Sequence, residues 1–249
     1  TGSHILVNGL PQPYFDVTDR KYRFRILNAS NSRDYALTLS PGQPFVQIGT
    51  DSGLLPAPVS RTAARIGSAE RLDIVIDFAG KAGANILLTD TLSNTPLLQF
   101  RVTSGFADNS SIPAALRTLP LIGSPTVTRT FEFDRRGGAW TINGQPFDPA
   151  VVIAQPVLGT TEKWVFRNGG GWIHMVHVHD VDQQCVTRNG AACPPYEAMK
   201  EAWFLNGGET VEVKLEFTDH TGRYVIHCHV LEHEDSAMMT QFEVVAASP

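Results

Sequence analysis

Metal-binding side chains recur at fixed steps near the end of the chain. Cys228 lies between His227 and His229, and His233 and Met238 follow the cysteine at successive steps of five residues. A thiolate, two imidazoles and a weak thioether form the ligand set of a blue-copper electron-transfer site. This segment supplies the thiolate, the thioether and one imidazole, so a single further imidazole would complete a mononuclear copper site.

The further imidazole is found in a histidine-rich segment upstream, which contains His174, His177 and His179. Successive side chains of a β-strand point to opposite faces. His177 and His179 therefore share one face, while His174, an odd number of residues away, points to the other. We assign His174 to the mononuclear site and the other two histidines to a second centre.

The same alternation separates the residues around the cysteine. The run 224–226 is Tyr-Val-Ile, which predicts a strand that ends near Cys228. On such a strand His227 and His229 face away from Cys228. Together with the two upstream histidines of their face, they predict a histidine-only metal centre on the other side of the strand.

A single histidine is usually a core or surface residue, so each one alone is weak evidence for a metal site. Here H-x-x-H-x-H is followed by H-C-H-x3-H-x4-M, and the two motifs use six of the eight histidines, leaving only His4 and His220. Coordination chemistry requires these ligand types together. The combined pattern therefore indicates metal binding.

These motifs resemble those of the multicopper oxidases, the family of laccases and bilirubin oxidases. The run 231–235, Leu-Glu-His-Glu-Asp, is most similar to bacterial spore-coat laccases, bilirubin oxidases and phenoxazinone synthases. Carried over residue by residue, the resemblance implies a type 1 copper on His174, Cys228, His233 and Met238, a type 2 copper ligand at His177, and ligands of two type 3 coppers at His179, His227 and His229.

The resemblance also implies an oxidoreductase activity. A small aromatic substrate, such as a phenol, an aromatic amine or a bilirubin-like tetrapyrrole, would lose single electrons at the type 1 copper, and dioxygen would be reduced to water at the other coppers. Cys228 is covalently continuous with both neighbouring histidines, which offers a short path between the centres. Glu234 would donate protons to the cluster; the alternative for this residue is a solvated acidic turn. Substrate is expected at an exposed edge of His233, with the loop 185–193 as one wall.

One departure from the family pattern concerns an N-terminal domain that carries two further H-x-H motifs. This sequence has none. The trinuclear cluster of the family takes eight histidines, whereas only four are found here. We therefore expect the last two domains of a three-domain enzyme, inactive as an oxidase without an N-terminal cupredoxin partner domain.

Two alternative functions use fewer of these residues. A blue-copper module that transfers electrons without reducing dioxygen has no use for four additional histidines. A two-domain nitrite reductase is disfavoured by the H-C-H motif itself. Dioxygen uptake with a phenolic donor separates all three functions.

Composition excludes several partner classes. Charged residues make up 18% of the 249 residues, hydrophobic residues 42%, and the net charge is -5. This balance gives no electrostatic reason to bind nucleic acid or an anionic membrane, and no apolar run approaches the roughly 18 residues of a membrane span. The chain begins at Thr1 with no initiator methionine and no visible signal peptide, so we expect a processed or truncated product.

Two cysteines remain outside the metal motifs. Cys185 and Cys193 enclose a turn-forming segment at 186–192. We expect a disulfide between them, worth roughly 2 to 3 kcal/mol by loop entropy, with two free buried thiols as the alternative. A disulfide favours an oxidising compartment, so an extracellular, periplasmic or spore- or cell-surface location is expected.

A weak internal repeat sets the expected domain plan. Segments of the first half reappear in the second in the same order, as 7–11 with 142–146, 22–28 with 164–168, 70–78 with 209–217, and 99–102 with 241–244. Two copies of one unit are therefore predicted, at 1–105 and 127–249, joined by a linker at 106–126.

Each copy reads as short alternating strands separated by Gly, Pro, Asn and Asp, with no long helical period. We predict an all-β fold with two Greek-key β-sandwich domains, which the family resemblance specifies as cupredoxin-like. In the first copy Leu88, Thr89 and Asp90 stand where the second has H-C-H. The first domain is therefore expected to be a structural spacer without copper, similar to the middle domain of the family.

Overall fold

The computed structural model describes residues 2–105, 107–120 and 122–247. In the first half of this described chain the strands are β1 (Leu6–Val7), β2 (Leu10–Pro11), β3 (Tyr14–Thr18), β4 (Lys21–Leu27), β5 (Tyr35–Leu39), β6 (Phe45–Thr50), β7 (Gly53–Arg61), β8 (Ala63–Ile66), β9 (Arg71–Asp77), β10 (Asn85–Asp90) and β11 (Thr95–Thr103).

The second half is built in the same way. Its elements are β12 (Val127–Arg136), β13 (Ala139–Ile142), β14 (Thr161–Asn168), β15 (His174–Val178), β16 (Gln183–Arg188), β17 (Ala191–Ala192), a 3-10 turn (Pro195–Glu197), β18 (Met199–Lys200), β19 (Ala202–Leu205), β20 (Thr210–Glu216), β21 (Gly222–Cys228), the short helix α1 (Leu231–Glu234) and β22 (Met239–Val244). The prediction of an all-β fold is confirmed.

Two sheets form the first sandwich. One has the strand order β3-β11-β10-β5-β8 and the other β4-β9-β6-β7, and β1 and β2 form a separate hairpin. The sequence of β9 shows why the sheets pack face to face, since Leu72, Ile74 and Ile76 are buried and alternate with more exposed residues. Alternating apolar residues give each strand one face that is removed from water.

The second sandwich holds the histidine motifs. Its larger sheet has the order β13-β12-β14-β20-β16-β17, with β18 also on β16, and its smaller sheet has the order β19-β15-β21-β22. Trp164 is fully buried between these sheets, and its indole N–H donates to Glu162 Oε2 at 2.7 Å. β15 and β21 are neighbours in the smaller sheet, which brings the two motifs together.

The described chain has two separate hydrophobic cores. The buried residues of one run from Val17 to Val102, and those of the other run from Phe131 to Val244. Between β11 and β12 the described residues form no strand or helix. The linker prediction also includes Phe106 and Leu121, and the predicted units include Thr1, Ser248 and Pro249; these five lie outside the described residues. The exact boundaries stay a prediction.

The two sandwiches pack closely against each other beside the motifs. A Cβ added to Gly67 would lie 2.1 Å from Met175 Sδ and 2.7 Å from the Phe204 ring. Glycine at this position therefore allows the first sandwich to contact the residue next to His174. No helix of the described chain is long and apolar enough to cross a membrane.

Candidate metal centres

The side chains predicted for the mononuclear site converge on the sulfur of Cys228. His174 Nδ1 lies 3.6 Å and His233 Nδ1 lies 3.5 Å from Cys228 Sγ. All three residues are buried, and their donor atoms lie within 4.8 Å of one another. Each comes from a different element, since His174 begins β15, Cys228 ends β21 and His233 lies in α1.

These elements hold the three donors through backbone pairing. Val176 of β15 faces Cys228 of β21 in antiparallel register. After α1 the chain returns through a left-handed residue, Ala237, with φ 71°. The Met238 N–H then donates to His233 O at 2.9 Å, and the Cys228 N–H donates to Met238 O at 3.0 Å. Met238 is completely buried in the same core cluster as Cys228.

The geometry of the donors fits a bound copper ion. With metal–nitrogen bonds of about 2.0 Å and metal–sulfur bonds of about 2.3 Å, a roughly tetrahedral ion separates its nitrogen and sulfur ligands by about 3.5 Å. The separations of His174 and His233 from Cys228 Sγ match this value. The Met175 N–H also donates to Cys228 Sγ at 3.4 Å, which favours a thiolate. Soft sulfur and imidazole donors in this arrangement suit copper.

Without a metal, burial raises the pKa of Cys228 to about 12. Burial also keeps the nearby imidazoles neutral, because it lowers the pKa of His174 to about 3 and that of His233 to about 4. The imidazoles are therefore ready to bind, whereas the thiol must release a proton when a metal binds.

The metal-free protein is expected to lose stability as the pH falls below about 6.5. Burial lowers the pKa of His174 and His227 to about 3 and that of His233 to about 4, from 6.5. Each of these imidazoles takes up a proton on unfolding when the pH lies below its unfolded-state pKa. Its contribution to the free energy of unfolding is therefore complete above that pKa. As the pH falls toward the folded-state pKa, the contribution decreases by about 1.4 kcal/mol per group and pH unit. Urea unfolding at about pH 7 and about pH 5 measures this loss; equal free energies of unfolding would contradict it.

Trp140 of β13 covers the mononuclear site. Its ring stacks on His233 with centroids 3.6 Å apart and planes at 24°, and it meets the His174 ring edge-on at 5.9 Å. His233 is only 7% exposed. One face of the His233 ring is therefore covered by an aromatic ring from a distant strand, and the expectation that substrate meets an exposed edge of His233 stays a prediction. Outside Trp140 lies Trp172, which is 57% exposed and packs edge-on against it.

The loop 185–193 makes hydrogen bonds with other parts of the second sandwich, and its place as one wall of a substrate site stays a prediction. Arg188 pairs with Glu197 and donates to Phe204 O, and the Asn189 N–H donates to Thr210 O. The loop is closed by a disulfide between its two end cysteines, with a Cα–Cα distance of 6.0 Å. Cys228 is a free buried cysteine.

The histidine-only centre lies on the opposite side of β21. His177 faces His227 across the pairing of β15 with β21. The donor atoms of His177, His179 and His227 lie within 4.8 Å of one another, and His179 Nε2 is 3.1 Å from His227 Nε2. The His229 ring centroid lies 5.1 Å from that of His227 and 5.5 Å from that of His177. Among the described residues, both groups of three metal donors belong to the second sandwich.

Two contacts orient the histidines of this centre. His177 Nδ1 is 2.9 Å from Glu201 O, so Nδ1 carries the proton and donates. The Nε2 lone pair is then free for a metal. Glu234 Oε2 lies 3.2 Å from His227 Nδ1. This is within ion-pair distance, although Nδ1 has no partner with hydrogen-bond geometry, and burial raises the pKa of Glu234.

The other acidic residues of the turn lie farther from these contacts. Glu232 Oε1 accepts from the Ser32 hydroxyl at 3.3 Å, across the boundary between the sandwiches. Asp235 follows α1 and its backbone N–H donates to Leu231 O. Of the three acids, Glu234 is therefore the one that the structure brings to the histidine-only centre.

An open cavity of about 580 Å³ adjoins the histidine-only centre. His177 and His179 line it, with five acidic side chains and no Lys or Arg; the acids are Asp180, Asp182, Glu201, Glu216 and Asp219. His177 and His179 therefore border an open, acidic space.

Known proteins are similar to this chain in sequence and in fold. Residues 121–248 match the family described as multicopper oxidase. The chain is 37% identical to bilirubin oxidase of Albifimbria verrucaria over 97% of this chain and 47% of that protein. It is 34% identical to a laccase of Bacillus subtilis strain 168 over 98% of this chain and 54% of that protein. A solved laccase structure from Pediococcus acidilactici superposes with a TM-score of 0.91 at 30% identity, covering 98% of this chain and 54% of that one.

The chain thus spans about half the length of these relatives. The superposition confirms the prediction of cupredoxin-like sandwiches. Copper is the cofactor of the matching proteins, and the donor set around Cys228 fits this metal. With the family match covering residues 121–248 and both groups of metal donors lying inside it, the chain belongs to the multicopper oxidase family.

Proposed function

We propose that this chain is the metal-binding C-terminal part of a laccase-like enzyme that oxidises small aromatic molecules with dioxygen. The observation that carries the proposal is the arrangement around β21, where Cys228 with two imidazoles lies on one side and a histidine-only group on the other. A pure electron carrier needs the first group alone.

The type 1 site is formed by His174, Cys228, His233 and Met238. The type 2 ligand is His177, and the type 3 ligands are His179, His227 and His229. Copper bound at these residues would supply one-electron oxidation at the first site and four-electron reduction of dioxygen to water at the second. The fit of the nitrogen and sulfur separations at Cys228 supports the first assignment.

The chain itself provides the connection between the two sites. Cys228 is bonded through the backbone to His227 in β21 and to His229 directly after it, and the rings of these two histidines lie 5.1 Å apart. A through-bond path of a few residues therefore joins the two groups of ligands. No other protein segment needs to move for this path to exist.

Glu234 is the proposed proton donor for oxygen reduction. Its carboxylate lies 3.2 Å from His227 Nδ1, and burial raises its pKa. A carboxyl group with a raised pKa holds a proton at higher pH than a solvated one and can release it to a neighbouring acceptor. Glu234→Gln would keep the shape of the side chain but remove this exchange.

Trp140 and Trp172 form the proposed surface for the reducing substrate. Trp140 covers one face of the His233 ring, and Trp172 is the exposed partner of Trp140. Flat aromatic molecules stack on such rings, which favours phenols, aromatic amines and bilirubin-like tetrapyrroles. With only four methionines in the chain, a methionine-rich site for cuprous ions is disfavoured.

The main partner would be a further cupredoxin domain, which would complete the histidine-only centre. The open acidic cavity beside His177 and His179 supports this, because metal ligands from a second surface can enter there. The disulfide between Cys185 and Cys193 supports an oxidising location, outside the cell, in a periplasm or on a spore or cell surface.

Met238→Leu is expected to keep copper and colour but to raise the reduction potential of the type 1 site. Met238 is fully buried and held by backbone hydrogen bonds to both Cys228 and His233, so leucine can occupy its volume. Removing a weak axial donor disfavours Cu(II) relative to Cu(I). A redox titration measures the change, and an unchanged or lower potential would argue against Met238 as the axial ligand.

The alternative function is a blue-copper module that transfers electrons without reducing dioxygen. Copper content and the visible spectrum test the type 1 site in both cases. Dioxygen uptake with a phenolic donor, measured on the protein combined with its N-terminal domain, separates them. Blue protein without dioxygen uptake in that complete form would favour the module.

A further inference from the structure

A short segment of the second sandwich lies between His177 and the first sandwich. Ala202 of β19 pairs directly with His177 of β15. The preceding carbonyl, Glu201 O, accepts the hydrogen bond from His177 Nδ1. The orientation of the Glu201 peptide therefore decides which imidazole nitrogen carries the proton.

Residues of the first sandwich hold this same segment. Asp51 Oδ2 accepts from the Ala202 N–H at 3.2 Å and, more weakly, from the Glu201 N–H at 3.4 Å. The Thr50 hydroxyl donates to Met199 O at 2.6 Å. Three backbone positions of the segment, Met199, Glu201 and Ala202, are thus bonded to the end of β6 and the residue that follows it.

A buried ion-pair network strengthens this attachment. Lys200 Nζ lies 3.3 Å from Asp51 Oδ2 and 2.9 Å from Glu70 Oε1, and the exposed fractions of these side chains are 5%, 0% and 7%. Burial alone would lower the pKa of Lys200, but the two carboxylates raise it above its ordinary value. Arg71 adds a second link, since it donates to Asp51 O and to Glu201 Oε1.

The two oxygens of Asp51 have separate sets of donors. Oδ1 accepts from the Arg71 N–H at 2.8 Å, while Oδ2 faces the segment and Lys200. Each of these hydrogen-bonding and ion-pair partners of Asp51 is a donor, so only a carboxylate can satisfy all of them. An amide in the same place would point its NH₂ group at one of these donor sets.

We propose that Asp51 of the first sandwich is a positioning residue for His177, acting through the Glu201 peptide. The carboxylate prevents that peptide from rotating, so Glu201 O remains directed at Nδ1 and the His177 Nε2 lone pair remains directed at the histidine-only centre. The first sandwich, which holds neither of the two three-donor groups found in the described chain, thereby takes part in metal binding.

Asp51→Asn tests this inference, and Asp90→Asn is the matched control. Asp90 is another buried aspartate of the first sandwich, 1% exposed, and it accepts from the Ala36 and Leu92 N–H groups without contacting the second sandwich. Both variants lose one buried carboxylate. Only the first is expected to change His177.

The decisive measurement is the ¹⁵N spectrum of the His177 ring in the metal-free chain. In the wild type and in Asp90→Asn we expect the Nδ1–H form alone. In Asp51→Asn we expect a mixture with the Nε2–H form, together with at least about tenfold faster amide exchange at Glu201 and Ala202. An unchanged Nδ1–H form in folded Asp51→Asn overturns the inference.

Copper binding gives a second readout, which rests on the proposed function. In the protein that carries its N-terminal domain, Asp51→Asn is expected to lower type 2 copper affinity by about tenfold, as loss of outer partners of metal-bound histidines does. Mass spectrometry of bound copper and the type 2 electron paramagnetic resonance signal measure it. A shifted His177 form with no copper bound even in the wild type would refute the proposed function and leave the positioning role intact.

Thr50→Val covers the case in which Asp51→Asn does not fold. Valine has nearly the shape of threonine but cannot donate to Met199 O. We expect a smaller shift in the same direction in the ring spectrum of His177. A folded Thr50→Val protein with the wild-type ring spectrum and the wild-type exchange rate at Glu201 counts against the inference.

Discussion

Replacing Cys228 by serine is expected to remove the blue colour and all substrate oxidation from the copper-loaded protein. The intense visible band of a blue-copper site comes from charge transfer between thiolate sulfur and Cu(II), which a hydroxyl oxygen does not provide. Cys228 Sγ is also the atom on which both Nδ1 donors converge. A serine oxygen is smaller and harder, so it weakens binding of the soft metal as well.

The measurement is a visible spectrum with a copper determination and an assay of phenol oxidation. A control that replaces both Cys185 and Cys193 removes two sulfur atoms from the protein but leaves the site at Cys228 intact. We expect this control to remain blue and to lose only stability, by roughly 2 to 3 kcal/mol. A Cys228→Ser protein that kept its blue colour would show that the copper is bound elsewhere.

The second large effect concerns the chain without any partner domain. We expect the isolated 249-residue chain to bind about one copper tightly, to be blue, and to fail to reduce dioxygen to water. The proposed trinuclear cluster finds four histidines here, and the only others, His4 and His220, belong to neither motif. Self-association does not supply the missing ligands, because each copy uses these four histidines in its own centre and its remaining histidines lie in no H-x-H pair.

Addition of the complementary N-terminal domain is expected to restore dioxygen uptake. The cavity beside His177 and His179 is the expected place of contact. As a control, Cys228→Ser chain with the same domain should stay inactive, since the first site is then lost. Dioxygen consumption at laccase-like rates by the chain alone, shown by mass spectrometry to be free of other polypeptides, would disprove the requirement for a further domain.

The sequence by itself predicted which donor side chains lie together. The period of a β-strand is two residues, so an odd separation sends side chains to opposite faces and an even one to the same face. This rule alone separated His174 from His177 and placed Cys228 away from its neighbours, and the structure groups them in the same way. The all-β fold followed from the same alternation. The absence of ligands at Leu88, Thr89 and Asp90 could also be read directly.

Contacts between distant residues required the tertiary structure. Trp140 lies far along the chain from His233, and no spacing rule connects a single tryptophan to a turn between strands of another sheet, so their stacking could not be predicted from the sequence. Sequence motifs describe local geometry, whereas the cover of a site depends on which strands the fold places over it.

The contacts between the first and second sandwiches also required the tertiary structure. Comparison of the two repeat copies showed only that the first lacks the H-C-H motif, which indicated a structural spacer without copper. Packing of the two sandwiches brings Asp51 and Glu70 to Lys200, and their burial requires each charge to find its partner across the boundary. The hydrogen bonds from the Glu201 and Ala202 N–H groups to Asp51 also depend on this packing. They join residues that lie far apart in the sequence, so no local pattern predicts them.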